Sequence, residues 1–146
     1  MSIWLFFVRR DKDRRCHPAP RSFTCLEMQT MKTYLAVYLG TPETMATWNA
    51  LAPEVRMERE AAGMRAWLAW DERHAAIIVD HGAPLGRTKS VSPSGIADVR
   101  NHLTGYVILK ADSHEEAARL FTGHPHFTLF PGTAVEIMEC LPVPDM

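Results

Sequence analysis

Apolar and polar positions fall into ordered blocks from residue 31 onward, and the blocks predict elements in the order β, α, β, β, α, β. Thr33 to Leu39 is a short apolar and aromatic run closed by Gly40-Thr-Pro42, which reads as a strand and a turn. A short helix follows through Trp48, and Pro53 stands where the first turn of a long helix accepts proline. That helix is predicted from Pro53 to His81, with Gly82 as its stop. On a wheel of about 100° per residue, Trp67, Trp70, His74, Ile77, Ile78 and His81 share one arc, with Met57, Met64, Leu68 and Ala75 beside them. Gly63 is expected to weaken the helix by about 1 kcal/mol relative to alanine and to bend it.

Leu85 to Val91 is predicted as the second strand, Ser92-Pro-Ser-Gly95 as a turn, and the segment to Asn101 as a link. His102 to Lys110 is the third strand. Ser113-His-Glu-Glu116 has the form of a capping box opening a helix that ends at Gly123. Thr133 to Leu141 is the fourth strand, closed by Pro142 and Pro144. The order fits an α+β fold, a ferredoxin-like βαββαβ sandwich with both helices on one face of a four-stranded sheet. In the third strand Gly105, Val107 and Leu109 alternate with Tyr106 and Ile108, and in the fourth Met138 and Cys140 alternate with Val135, Ile137 and Leu141. Both faces are therefore apolar, so the face the helices leave bare is expected to meet a second copy of the chain in a homodimer.

The first thirty residues break this regularity. Between Arg9 and Cys25 stand five arginines, one lysine and two prolines with no helical or strand period, so residues 1–30 are expected to be an extension and 31–144 the domain. Two explanations stay open: a flexible or targeting extension, or a start assigned upstream of a true beginning at Met28 or Met31. The apolar run Ile3 to Val8 is too short to span a bilayer, and Arg9 and Arg10 follow it instead of preceding it. With 16 basic against 17 acidic side chains, the charge gives no footprint for nucleic acid or for an anionic membrane. Three cysteines, Cys16, Cys25 and Cys140, form neither a closed disulfide set nor a metal spacing, which fits a reducing, cytoplasmic setting.

His74 is the first candidate for chemistry, in the middle of the apolar arc with Trp70 one turn before it. Desolvation opposed by a carboxylate would poise its imidazole for acid/base work, and Asp71, three residues earlier, could orient it. The plainer alternative is a packed histidine satisfied by a backbone carbonyl. Tyr34, Tyr38 and Tyr106 are candidates to line a cavity on the sheet, or are simply core; Arg87, Thr88 and Lys89 are candidates to meet an anionic group, against the plainer reading of a solvated edge strand guarded by lysine, and His126 is a further ligand-binding candidate. A metal held by His81, His124 and His126 with Asp80 lacks a fixing motif, so no metal is expected. Cys140 has no histidine at a readable spacing. Without GxGxxG, a P-loop or a Gly-x-Ser-x-Gly elbow, no cofactor is expected either.

Gly82-Ala-Pro-Leu85, Leu103-Thr-Gly-Tyr106, Ser113-His-Glu-Glu-Ala-Ala118, His124-Pro-His-Phe127 and Val135-Glu-Ile137, taken in order, resemble the YCII-related proteins over Met31 to Pro144. The resemblance implies a small bacterial dimeric α-β barrel whose chemistry is suspected from a buried His-Asp pair. The family's aspartate, due shortly after the Gly-Pro element, has no counterpart in Gly86-Arg-Thr-Lys-Ser90. The expected function is binding of a small organic molecule between helix and sheet, with His74 as a proton carrier. The competing expectation is a ligand-binding or assembly module without catalysis.

Overall fold

The tyrosines and β-branched residues of Lys32–Leu39 (β1) make the central strand of a sheet. The computed structural model describes residues 30–144 together with Thr24 and Leu26, so Cys16, Cys25 and nearly all of the expected extension lie outside the described residues. After β1 come helices α1 (Pro42–Asn49) and α2 (Pro53–His74), strand β2 (Ile78–Asp80), the hairpin β3 (Thr88–Ser92) and β4 (Gly95–Val99), then β5 (Leu103–Ala111), α3 (His114–Arg119), α4 (Pro125–Thr128) and β6 (Ala134–Glu139). β1 pairs antiparallel with β5 on one side and β6 on the other, and β2 joins the free edge of β5. The resulting order β2-β5-β1-β6 is the expected α+β arrangement of a four-stranded antiparallel sheet with helical crossovers.

Register decides which side chains share a face. Tyr34, Ala36 and Tyr38 of β1 and Val107, Leu109 and Ala111 of β5 pack against Trp70, Ala117 and Phe121 to form the core. Leu109 is wholly buried, which stabilises the fold by about 2 kcal/mol of transfer energy. On the opposite face β1 carries Leu35 and Val37, β5 carries Tyr106 and Ile108, and β6 carries Met138 beside Glu136; Val37 is buried there, Leu35, Tyr106 and Ile108 are half-buried, and Met138 is exposed. No helix of the described residues is long and apolar enough to cross a membrane.

The structure corrects four expectations. The long helix ends at His74, not His81, because Ile77, Ile78 and Val79 are β-branched and the edge of β5 offers ladder partners: the Lys110 amide donates to the Ile77 carbonyl at 2.8 Å. The second strand of the main sheet is therefore β2; the strand expected over Leu85 to Val91 is present as β3 but in a separate hairpin, and the expected link to Asn101 is strand β4, paired with β3 through the Ser92-to-Gly95 turn. The hairpin stands off the main sheet with nearly every position exposed. Met57 and Leu68 are exposed rather than on the buried arc. Finally, Ser113 caps the Glu116 amide at 3.1 Å, but the Glu116 carboxylate turns to Arg119 instead of back to the cap.

Gly63 has a packing role that the sequence did not disclose: a Cβ there would stand 2.6 Å from the ring of Phe130. The close approach lets α2 lie against the chain after α4.

Candidate functional site

The sharp end of α2 places the chain's acid/base groups. Asp71 lies in its last turn, and after the turn through Ala75 to Ile77 the chain runs back along β2, so that His81 returns to Asp71. The His81 Nδ1–H donates to Asp71 Oδ1 at 2.8 Å. Asp80 fixes the exit by accepting the Gly82 amide at 2.8 Å, and Gly82 takes the positive φ of 67° that this bend needs. With Nδ1 bound to a carboxylate, the His81 Nε2 is left as the atom that can accept a proton, and the side chain is 38% exposed.

His81 borders a hollow of about 20 Å³, room for one water, lined also by Tyr38, Trp67, Ala83, Pro84, Gly105 and Tyr106. Burial, and after it the charge of Asp71, push the Tyr38 pKa upward, so its hydroxyl stays protonated and can donate. The expected partnership of Asp71 with His74 is not formed. The His74 Nδ1–H donates to the Trp70 carbonyl at 2.7 Å and its ring packs on Trp70. Burial holds its pKa below the ordinary value, opposed by the bond to Trp70. His74 lines neither the hollow nor the cleft described next.

A larger cleft of about 750 Å³ lies between the body and the base of the hairpin. Arg87, Thr88 and His126 border it. Lys89 instead pairs with Asp98 across the hairpin at 2.7 Å. Tyr34 is buried and stacks on His114, away from both cavities, whereas Tyr38 and Tyr106 both line the hollow. Only Trp67 borders both.

The His124-Pro-His126 segment forms a third group. The His126 Nε2–H donates to the Leu39 carbonyl at 2.7 Å, and its backbone amide donates to His124 Nδ1 at 3.1 Å. His124 therefore carries its hydrogen on Nε2, buried without a hydrogen-bond partner among the described residues and enclosed by Tyr38, Trp67, Trp70 and Phe121. Burial first, then the neighbouring His126 and His74, push its pKa down to about 3. Among the described residues no group of three or more His, Cys, Asp or Glu side chains is arranged to hold a metal ion. Cys140 is free and exposed.

No family model matches the chain, and no curated protein matches it. Among solved structures it is similar to the 5-chloro-2-hydroxyhydroquinone dehydrochlorinase of Burkholderia phenoliruptrix AC1100, in complex with 2,5-dihydroxybenzoquinone. The match has 20% identity and a TM-score of 0.43, over 73% of this chain and 90% of the other. At that level of overlap no chemistry passes from one chain to the other.

Proposed function

We propose that this chain binds a small organic molecule at the sheet and moves a proton on it through His81, held by Asp71. The observation that carries the reading is the 2.8 Å bond between the two at the lip of the hollow. Three parts of an acid/base centre meet there. A carboxylate fixes the imidazole tautomer, the free Nε2 can take a proton, and the Tyr38 hydroxyl, kept protonated, can donate to an oxygen that gains charge. His81 replaces His74 in the role, because the Asp71 carboxylate is hydrogen-bonded to the first, whereas the second is bonded to the Trp70 carbonyl.

The test is deuterium uptake from heavy water into a panel of small enolisable ketones and phenols, followed by proton NMR. His81→Gln is expected to lower the exchange rate by about 10²- to 10⁴-fold, the usual worth of a positioned base, and Asp71→Asn by a smaller factor. Equal rates in wild type and His81→Gln would end the proposal.

The finer architecture belongs to the same reading. We propose a homodimer, an α-β barrel closed by the faces that carry Leu35, Val37, Tyr106, Ile108 and Met138. An apolar sheet face partly open to solvent marks an interaction surface, and Met138 on this one is 43% exposed. Light scattering is expected to give twice the chain mass of 16.5 kDa. A single-chain mass at micromolar concentration would exclude the dimer.

A further inference from the structure

The wall of the larger cleft is chemically divided. On the hairpin side, Thr88 and Val99 form the last pair of the β3–β4 ladder, so Arg87 and Arg100 emerge next to each other just beyond it, and both border the cleft. Neither guanidinium has an ion-pair partner among the described residues. The acidic residue on the lining, Asp98, is taken by Lys89. Two unpaired arginines side by side repel each other, and an anion between them removes that repulsion while accepting the parallel N–H bonds that a guanidinium offers.

The opposite wall is apolar. Trp67 and Phe130 stand there with ring centres 6.0 Å apart in a T-shaped contact, flanked by Met45 and Met64. Gly63 is what allows Phe130 to come so close to α2. This wall gives a flat ring an aromatic and thioether surface, and a cleft of about 750 Å³ is in the range of sites that enclose a small organic ligand. A phosphate or a short aliphatic acid would use the arginines and leave the rings wet. A neutral arene would do the reverse.

We infer that the cleft binds a planar aromatic carboxylate, with its anion between Arg87 and Arg100 and its ring against Trp67 and Phe130. The inference narrows the function proposed above to a ligand class, and it rests on that reading only in taking the ligand to be small and organic. Trp67 borders both the cleft and the hollow beside His81, so its indole stands between the two.

The experiment is titration calorimetry of the full chain with 1-naphthoate, and with 1-naphthalenemethanol and inorganic phosphate as probes that each lack one half of the recognition. Naphthoate is expected to bind, with both comparison probes weaker by at least about tenfold. The double variant Arg87→Ala/Arg100→Ala is expected to lose on the order of 100-fold in affinity, as two charge-assisted contacts disappear. Both arginines are exposed, so the variant is expected to melt with wild type. If it does not, the single variants Arg87→Gln and Arg100→Gln give the same comparison. Proton exchange that persists in His81→Gln while naphthoate still binds the wild-type chain would sink the acid/base reading and leave this one standing. No naphthoate binding at millimolar concentration, affinity unchanged in the arginine variants, or phosphate binding as tightly as naphthoate would each overturn the inference.

Discussion

What a histidine can do depends on which of its nitrogens is already engaged, and to what. His74 donates to the Trp70 carbonyl, His126 to that of Leu39 and His114 to that of Ile137, so in each a backbone oxygen fixes the ring and supplies no charge to exchange. His81 is bonded to a carboxylate. His124, enclosed by four aromatic rings, should govern stability toward acid. Its folded-state pKa of about 3 lies below the unfolded value of about 6.5, so its contribution is whole above that pH and is lost as pH falls toward 3. Between pH 7 and pH 5 the loss is expected to reach about 2 kcal/mol, read as a fall in the urea midpoint. The lowered pKa values of His74 and His126 act in the same direction. A midpoint unchanged over that interval would show that the imidazole is not neutral and enclosed as described.

Helices and strands were legible to different degrees, for reasons that particular residues make plain. Thr41, Pro53 and Ser113 announce helix starts because caps and first-turn prolines act locally, and all three helices begin where expected. The end of α2 was hidden because Ile77 and Ile78 satisfy a helical arc and a strand equally well, and only the edge of β5, distant in sequence, decides between them. The Asp71–His81 pair was hidden by the same error. Ten residues on one continuous helix would separate them by about 15 Å, and they meet only because the chain turns after His74. The strand and turn that open the hairpin are legible, but its second strand is not, because Gly95-Ile-Ala-Asp-Val99 has no clean alternation and faces no core. Gly63 looked like a weakness and is a contact. Gly63→Ala should gain helix propensity yet collide with Phe130, for a net loss of about 1–3 kcal/mol in chemical denaturation. A stabilised variant would mean that Phe130 yields freely.

Across the whole molecule, one sheet divides two tasks. Its inner face makes the core with α2 and α3, and its outer face is the surface proposed to close a dimer. Ile108→Glu puts a charge in the centre of that outer face and leaves the inner core untouched, so it should halve the mass in sedimentation without unfolding the chain. A variant that keeps wild-type mass would place the contact elsewhere. The hairpin belongs to neither face. It is inserted between β2 and β5, forms a separate two-stranded sheet, and supplies Arg87, Thr88, Val99 and Arg100 to the cleft while contributing no buried core residue. Natural variation can therefore lengthen, shorten or recharge this arm at little cost to folding, and related chains that share the sheet are free to diverge in what they recognise through this one replaceable segment.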